Sequence, residues 1–499
     1  MHFGFLLIAF VALFSGLSAK AATPILPDKK EVEARETPAE AAARDARIAA
    51  IRARFNRPTD RPNVILIVAD DLGYGDLGCY GQQKIKTPNI DRLASEGIRY
   101  TSFYAGCTVG APSRASLMTG LHTGHTGIRG NGNGFLGTND LTVAQVLKTR
   151  GYANMAAGKW GLGLMGTPGI PTLKGFDEWI GFLDQVHAHN YYPDYVYRND
   201  QEMPIPDNQN GRERLYIQDY FSKASTNFVR LNEKHPFFMY LAFTIPHANS
   251  EKKTTGMQVP SDEPYSAEKW PQQEKNKAAM ITLLDHDIGL LMDTLKQYKL
   301  DINTVVIFTS DNGPHKEGGV NPAFFKSSGE LRGIKRDLYE GGIRVPMIVR
   351  WKDHVPAGIT SDFVWAFWDL MPTIAEMAGT NVTAKIDGVS VLSSITSGVK
   401  AGASHDSFYW EFHEGGSKQA IRMGEWKAVK LTPSTAMELY NLQLDPREEK
   451  NVASANPEVV AKIENLFKTS RTESTEWPLK EPVPKGSPNV SNTPKPGVQ

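Results

Sequence analysis

Short, uninterrupted apolar runs that recur along the chain constrain its fold more than any other feature. Residues 64–68 read Val-Ile-Leu-Ile-Val, and similar runs stand at 237–243, 305–308 and 347–349. Such runs, rich in β-branched residues, are typical of parallel strands covered on both faces. Helical segments such as 277–295 lie between them, and strands that alternate with helices indicate an α/β fold. We therefore predict a large mixed, mostly parallel sheet flanked by helices.

The pattern changes near residue 400. The aromatic run 408–412 is followed, with turns between, by short apolar segments at 420–422, 426–429 and 438–440. This spacing predicts a small antiparallel sheet. Because 499 residues exceed one ordinary core, we expect an α/β domain over 61–400 and a smaller C-terminal α+β subdomain over 401–470.

The first 21 residues have the pattern of a cleaved signal peptide. Residues 3–13 form an apolar run too short to span a bilayer, and Ala19-x-Ala21 suits signal peptidase. We therefore expect removal of residues 1–21 and a secreted or periplasmic protein. The sequence has no later stretch of about 20 apolar residues, so we expect no membrane anchor.

Two further segments flank the predicted domains. Residues 22–60 are rich in Ala, Arg and Glu and predict a helical leader, whereas residues 471–499 are rich in Pro, Ser and Lys and predict a flexible tail. Lys+Arg and Asp+Glu both total 55, so the charge gives no reason to expect a nucleic-acid partner. Cys79 and Cys107 form one disulfide or are two small core residues.

Polar residues directly follow two of the predicted strands. Asp70 and Asp71 come after the first apolar run, and Asp311 and Asn312 come after the third. Ligands of open α/β sheets bind beyond the carboxyl ends of strands, and carboxylate and amide oxygens select calcium or magnesium over zinc. Either pair alone is also an ordinary turn sequence. The matched placement of the two pairs favours a cation site.

The segment 110–120 reads Gly-Ala-Pro-Ser-Arg-Ala-Ser-Leu-Met-Thr-Gly. Pro112 is placed to open a helix, whose free N–H groups attract an anion, and Arg114 adds donors that suit a tetrahedral oxyanion. By themselves these residues fit more simply an ordinary capped helix with a surface arginine. The segment, however, resembles the signature of the formylglycine-dependent sulfatases, arylsulfatase-like members of the alkaline phosphatase superfamily. That signature is Cys or Ser, any residue, Pro, any residue, Arg, then a short stretch ending Thr-Gly, and it is matched by Pro112, Arg114, Thr119 and Gly120.

Other motifs similar to those of the same family stand in order between about Pro62 and Val452. They are the opening strand with its paired Asp at 63–73, the helix at 87–94, the lysine motif at 158–160, the second metal motif at 310–315, and the late lysine and turn motifs at 331–335 and 339–346. The resemblance implies a sulfuric ester hydrolase that acts on aryl or carbohydrate sulfates. It further implies one calcium ion, or magnesium in its place, held by Asp70, Asp71, Asp311 and Asn312.

The resemblance also implies how five other residues act. Arg114, Lys159 and Lys335 would balance the charge of the sulfate and hold the geometry of the nucleophile. His247 and His315 would contact the nucleophile and the ester oxygen or leaving group. Fixed positive groups of this kind stabilise charge that grows on the sulfuryl oxygens.

Two positions depart from the family pattern. Many relatives carry His two residues after the lysine of the lysine motif, where this chain has Gly161. Of the nearby His187 and His189, we expect His187 to supply the missing imidazole, with a structural role for both as the alternative. Gly110 stands where active relatives have the Cys or Ser that a formylglycine-generating enzyme oxidises. The hydrate of that formylglycine attacks sulfur, and glycine has no side chain with which to do so.

Several interpretations of Gly110 stay open. Cys107 and Ser113 lie out of register with the signature, so we do not expect either to replace the nucleophile. In the first interpretation, the natural protein is a non-catalytic binder of sulfate esters. In the second, it is an active enzyme into which a glycine was introduced at position 110. In the third, the glycine stands for a modified residue. A formylglycine-generating enzyme is a partner only if residue 110 is natively Cys. A phosphatase or phosphodiesterase of the same superfamily is a further alternative, which would need a second metal.

Overall fold

A computed structural model describes residues 61–132 and 134–482 of the protein. The predicted signal peptide at 1–21 and the predicted helical leader at 22–60 lie outside these residues. Within the described part of the chain, no helix is long and apolar enough to cross a membrane.

Strands account for both of the sheets that the sequence predicts. In chain order the strands of the described residues are β1 Asn63–Ala69, β2 Ile98–Tyr100, β3 Phe103–Tyr104, β4 Ala153–Lys159, β5 Glu178–Phe182, β6 Tyr195–Arg198, β7 Gln201–Pro204, β8 Phe237–Ala242, β9 Thr304–Ser310, β10 Met347–Arg350, β11 Ile359–Ser361, β12 Trp365–Ala366, β13 Phe408–Phe412, β14 Lys418–Met423, β15 Trp426–Lys430 and β16 Glu438–Asn441.

Ten of these strands form one mixed sheet in the order β11-β2-β10-β9-β1-β8-β4-β5-β6-β7. The five central strands, from β9 to β5, all pair in parallel. Antiparallel pairs occur toward the two edges, where β10 pairs with β9 and β2, and β6 pairs with β5 and β7. The predicted α/β fold with a mostly parallel sheet is therefore confirmed.

Helices cover both faces of this sheet. In chain order the α-helices of the described residues are α1 Pro88–Ser95, α2 Gly110–Thr119, α3 Val143–Thr149, α4 Ile217–Leu231, α5 Gln272–Gln297, α6 Glu340–Ile343, α7 Leu370–Met377, α8 Leu392–Ser397 and α9 Pro457–Thr469. Helices α1, α4 and α5 pack on one face, and α2, α3, α7 and α8 pack on the other.

The central strand β1 shows why its sequence is apolar throughout. Ile65 and Ile67 belong to the core on one face of the sheet, whereas Val64, Leu66 and Val68 belong to the core on the other. Successive side chains of a strand point to opposite faces. A strand covered on both faces therefore needs an apolar residue at every position, which is the pattern from which the fold was predicted.

The C-terminal residues form the predicted antiparallel sheet, in the order β13-β14-β15-β16. One face of this sheet packs on α9 through residues such as Ile421, Leu439 and Phe467. The other face packs on the α/β domain, where Trp410 lies beside Tyr104 and its ring nitrogen donates to the carbonyl of Ala105 at 2.9 Å. The two sheets are thus joined by a buried aromatic contact.

Residues 471–482, which follow α9, differ from the flexible tail predicted for residues 471–499. They contain no helix or strand, but Arg471 donates to Glu411 at 2.8 Å and the Trp477 ring nitrogen donates to the carbonyl of Gly127 at 2.9 Å. A buried carboxylate and a half-buried indole hold this stretch in place, although its composition resembles that of a disordered segment.

The two cysteines are free thiols rather than a disulfide. Cys107 is buried, and Cys79 is half-buried. The sequence left two alternatives open, and the structure supports the second, in which Cys79 and Cys107 are two core residues.

Candidate active site

Parallel strands bring polar residues to one edge of the sheet. Asp70 and Asp71 follow β1, Asp311 and Asn312 follow β9, and Lys159 is the last residue of β4. Because the carboxyl ends of parallel strands meet at the same edge, these residues converge there. We call the resulting group the charged cluster; its members, all buried, are Asp70, Asp71, Arg114, Lys159, His247, Asp311, Asn312, His315 and Lys335.

Each carboxylate of the charged cluster is paired with a buried cationic side chain. Nζ of Lys159 lies 2.7 Å from Asp70 Oδ2, and Nζ of Lys335 lies 2.8 Å from Asp71 Oδ2. These ammonium groups, together with other neighbouring cations, outweigh the effect of burial and hold the pKa of both aspartates below the usual range. Both groups are therefore carboxylates at neutral pH.

Arg114 and Asp311 form the third pair. Nη2 of Arg114 lies 2.8 Å from Asp311 Oδ2 and 3.7 Å from Asp70 Oδ1, while Nη1 donates to the hydroxyl of Tyr240 at 3.3 Å. The Arg114 side chain is fully buried, which excludes the surface arginine of the simpler interpretation. Burial, reinforced by the neighbouring charge of Asp70, raises the pKa of Asp311 to about 7 despite Arg114. A further cation at this point would favour its ionised form.

Two oxygens of the charged cluster lack hydrogen-bond partners among the described residues. They are Oδ1 of Asp70 and Oδ1 of Asn312, both buried. Asp71 has a left-handed backbone with φ 64°, and its N–H donates to Asp311 Oδ1 at 3.0 Å. That bond joins the ends of two strands that are distant in sequence, and it leaves the two oxygens without a hydrogen-bond partner. The donor set of carboxylate and amide oxygens is the kind that a hard divalent cation prefers.

Helix α2 begins at Gly110, so Pro112 is its third residue and does not open it as predicted. The extended residue Val109 precedes the helix, and the N–H of Ala111 donates to Asn131 Oδ1 at 3.1 Å. The prolyl ring tolerates this position because the first N–H groups of a helix have no partner within it.

A side chain at position 110 would point into the charged cluster. A Cβ placed on Gly110 would lie 3.1 Å from Asp311 Oδ2, 3.6 Å from Arg114 Nε and 3.6 Å from Gln185 Oε1. The backbone of Gly110 is helical, a conformation that any residue adopts. Neither strain nor lack of space therefore requires glycine here, beyond a shift of a few tenths of an ångström at the Asp311 carboxylate.

The neighbouring thiol and hydroxyl do not replace the missing side chain. Ser113 Oγ donates to the carbonyl of Asp311 at 2.6 Å and accepts from the N–H of Gly106 at 3.1 Å. Cys107 is buried, its thiol donates to the carbonyl of Glu411 at 3.4 Å, and burial raises its pKa to about 12. The thiolate form is the nucleophile of a cysteine. Both groups are structural.

Comparison with known proteins assigns the chain to a family. A family profile described as Sulfatase matches residues 62–380, and one described as N-sulphoglucosamine sulphohydrolase, C-terminal, matches residues 333–473. The chain belongs to the sulfatase family. Members of this family are sulfuric ester hydrolases.

Individual relatives match the sulfatase chain over most of its length. An N-acetylgalactosamine-6-O-sulfatase of Bacteroides thetaiotaomicron is 29% identical, with 83% of this chain and 94% of the relative covered. Arylsulfatase A of Homo sapiens is 32% identical, with 81% and 87% covered. A crystal structure of Ps i-CgsB in complex with k-i-k-neocarrahexaose is 31% identical and matches with a TM-score of 0.73, with 84% and 95% covered.

The two histidines expected from the sulfatase motifs lie beside the carboxylates. His247 Nδ1 donates to the carbonyl of Ala248 at 2.5 Å, and its Nε2 accepts from Lys335 Nζ at 3.1 Å. Burial, and then the charge of Lys335, lowers the pKa of His247 well below its ordinary value. His315 Nε2 donates to the carbonyl of Pro246 at 3.1 Å. His247 is therefore neutral and held in one orientation.

The structure places His189, rather than the predicted His187, beside His247 of the charged cluster. The His187 ring packs on Phe182 and Tyr195, with centroid distances of 4.8 and 4.4 Å. The His189 ring stacks on His247 instead, at 4.7 Å. The residues form a 3-10 turn, in which neighbouring side chains point in different directions, and the sequence alone does not reveal which one faces the cluster.

Sequence reasoning missed two residues at this sulfatase site. Gln185 fills the space beside Gly161, where a Cβ would lie 2.0 Å from its Nε2, and Gly161 has a left-handed φ of 73°. A histidine at 161 would therefore strain this backbone and would require the Gln185 amide to move. Glu317 lies 3.4 Å from His315 Nδ1 and 3.8 Å from Lys335 Nζ. Its position two residues after His315 is a signal that could have identified it.

A second group of histidines is structural. His122 and His125 share the carboxylate of Asp387, at 3.6 and 2.8 Å, near the end of α2 remote from Gly110. His122 Nδ1 also accepts from the N–H of Gly124 at 3.1 Å, and the two rings stack at 4.5 Å. The group therefore fixes the loop after α2.

Proposed function

We propose that this sulfatase-family chain binds the sulfate group of a carbohydrate or aryl sulfate ester beside Gly110. It hydrolyses the ester only when position 110 carries formylglycine, made by oxidation of a Cys or Ser. The observation that carries this proposal is the charge of the cluster. Three buried carboxylates face three buried cationic side chains, namely Asp70, Asp71 and Asp311 against Lys159, Lys335 and Arg114. One added divalent cation gives this set a net positive charge, which suits a sulfate anion.

The cation is proposed to be calcium, or magnesium in its place, on Asp70, Asp71, Asp311 and Asn312. The unpaired oxygens of Asp70 and Asn312 support this assignment, as does the all-oxygen donor set. When bound, the cation supplies positive charge that stabilises the sulfuryl oxygens.

The chain's own residues supply the rest of the site. Arg114, Lys159 and Lys335 provide charge-assisted donors for the sulfate oxygens. The neutral His247, oriented by Ala248 and Lys335, is assigned to the nucleophile, because its Nε2 is an acceptor that suits a hydroxyl group. Groups fixed in this way position the ester and stabilise its charge, but none of them attacks sulfur.

Gly110 decides whether binding leads to hydrolysis. A side chain there would enter the cluster between Asp311, Arg114 and Gln185. With glycine, the covalent route has no nucleophile, so we propose binding without turnover for the chain as written. A formylglycine-generating enzyme becomes a partner only if residue 110 is natively Cys.

The names of the relatives support sulfated carbohydrates as ligands. One relative is an N-acetylgalactosamine-6-O-sulfatase, and the Ps i-CgsB crystal structure contains k-i-k-neocarrahexaose. The name of arylsulfatase A supports aryl sulfates as further ligands. The sequence pattern of residues 1–21 supports a secreted or periplasmic location.

A phosphatase or phosphodiesterase is the other candidate, because Asp71, His315 and Glu317 could together hold a second metal. Nζ of Lys335 stands in that group, however, 2.8 Å from Asp71 and 3.8 Å from Glu317. A buried ammonium so close to these carboxylates repels a second cation. The arrangement therefore favours one metal ion and sulfate esters.

Equilibrium binding tests the proposal directly. The Gly110 protein, with calcium present, is titrated with N-acetylgalactosamine 6-sulfate, with phenyl sulfate and with unsulfated N-acetylgalactosamine. We expect the sulfated ligands alone to bind and no sulfate to be released. Metal analysis accompanies the titration: one calcium per chain supports the proposal, whereas two zinc ions and preferential binding of phosphate esters would support the phosphatase.

A further inference from the structure

His189 lies on the outer side of the charged cluster, although it belongs to none of the family motifs. Its ring is almost parallel to that of His247, with the planes 11° and the centroids 4.7 Å apart. His247 in turn contacts Lys335 and Asp71. The His189 side chain is 15% exposed and that of His247 only 5%. Of the two stacked rings, His189 is therefore the one nearer to solvent.

Glu251 fixes the protonation pattern of the His189 ring. Both of its carboxylate oxygens lie 3.1 Å from Nδ1 of His189. A carboxylate only accepts hydrogen bonds, so Nδ1 carries the proton and Nε2 of the neutral ring is an acceptor. Burial, followed by the positive charge of Lys159, lowers the pKa of His189 and keeps the ring neutral. Among the described residues, Nε2 of His189 makes no hydrogen bond.

The segment 185–189 contributes two side chains to the same site. Gln185 Oε1 lies 3.6 Å from the Cβ position of residue 110, and His189 stacks on His247. Between them His187 turns away, against Phe182. A sulfate ester held beside Gly110 would thus have an unused imidazole acceptor next to the part of the molecule that carries the sulfate.

We propose that Nε2 of His189 accepts a hydrogen bond from a hydroxyl group of the bound ester and so makes the site selective for carbohydrate sulfates. A sugar carries hydroxyl groups close to its sulfated carbon, whereas phenyl sulfate has none. A site in which the bound ligand covers an acceptor and leaves it unpaired discriminates against the ligand that lacks the hydroxyl. This inference rests on the proposed function, since it needs a sulfate ester at the charged cluster.

Isothermal titration of the Gly110 protein tests the inference, with N-acetylgalactosamine 6-sulfate and phenyl sulfate as probes. We expect His189→Ala to weaken binding of the sugar sulfate about tenfold, the effect of one lost hydrogen bond, and to leave phenyl sulfate unchanged. Glu251→Gln should retain most of the affinity, because its amide oxygen still accepts from Nδ1. His187→Ala is the matched control from the same turn and should not change either affinity.

The outcomes separate the two ideas. If the parent protein binds neither sulfate, the proposed function fails. If the parent binds the sugar sulfate and His189→Ala behaves like His187→Ala, the hydroxyl contact is wrong and the proposed function stands. Equal weakening of both probes by His189→Ala would also overturn the inference, because it would mean that the imidazole serves the sulfate group. Thermal melting of each variant confirms that it is folded.

Discussion

At the scale of single residues, the effect of a substitution in the charged cluster depends on which buried charges it leaves without a partner. Lys335 pairs with Asp71 and lies near Glu317, whereas Arg114 is buried between Asp311 and Asp70. Removing either cation would take a charge-assisted donor from the proposed sulfate site and would leave at least one buried carboxylate without its partner. The affinity for an anion and the local stability are therefore coupled at these positions.

Lys335→Ala and Arg114→Ala should each weaken binding of inorganic sulfate or of a sulfated sugar. A hydrogen bond to a charged group contributes about 1.5–3 kcal/mol, which corresponds to roughly a tenfold to hundredfold loss of affinity. Lys326→Ala is the control. Lys326 is largely exposed, and among the described residues its only ion pair is with Glu330. If titration calorimetry shows that both variants bind with unchanged affinity, the anion site lies elsewhere.

At the scale of elements, the proposed cation site joins the carboxyl ends of β1 and β9, two strands that are adjacent in the sheet but distant in sequence. A ligand that binds only the folded state stabilises it in proportion to the logarithm of its concentration. Calcium should therefore stabilise the central sheet itself rather than a peripheral loop.

Calcium should raise the melting temperature of the protein, and Asp311→Ala should abolish this response. The variant should also melt lower without calcium, because Arg114 then lacks its 2.8 Å partner in a buried site. Asp293→Ala, at an exposed position of α5, should retain the full calcium response. Metal analysis that finds no divalent ion in the untreated, folded protein would contradict the proposed site.

The elements and the core of the site could be predicted because both depend on local patterns. A strand buried on both faces is apolar throughout, as β1 is, and polar residues after such strands converge at one edge, as Asp70 and Asp311 do. The choice between His187 and His189 could not be predicted, because it depends on how a short turn packs against β5 and the loop after β8. The contacts of Trp477 were missed for the same reason, since they form with a distant segment.

At the scale of the whole molecule, a buried ionic network joins the α/β domain to the antiparallel sheet. Nζ of Lys427, in β15, lies 2.9 Å from Glu340 in α6 and 3.3 Å from Glu448. Glu340 also accepts from the hydroxyl of Tyr104 at 2.7 Å. All three ionic side chains are fully buried, so each depends on the others for compensation of its charge.

Lys427→Met should destabilise the protein by about 3–5 kcal/mol, because it leaves two buried carboxylates without their shared cation. Lys450→Met, at a nearby exposed position, should have little effect. Chemical unfolding at neutral pH measures both. A loss below about 1 kcal/mol for Lys427→Met would show that the network does not hold the two sheets together.

The same network should make stability depend on pH. Burial raises the pKa of Glu448 from 4.5 to about 7, with Lys427 acting against this shift. The folded state then binds the proton more tightly than the unfolded state, so this contribution is complete below about pH 4.5 and is lost as pH rises through 7. Glu448→Gln should remove it. Between pH 5 and 8, the free energy of unfolding of the parent should fall relative to that of the variant; parallel curves would contradict the assignment.

Turnover by Gly110→Cys, produced together with a formylglycine-generating enzyme, tests the central claim most directly. The change recreates Cys-Ala-Pro-Ser-Arg and places a side chain between Asp311, Arg114 and Gln185. The account predicts that mass spectrometry finds the aldehyde, that the variant releases sulfate from 4-nitrophenyl sulfate or a sugar sulfate, and that the Gly110 protein does not. An inactive variant with confirmed aldehyde and bound calcium would show that the rest of the site no longer supports hydrolysis. Rapid, calcium-dependent turnover by a verified Gly110 protein would contradict the account outright.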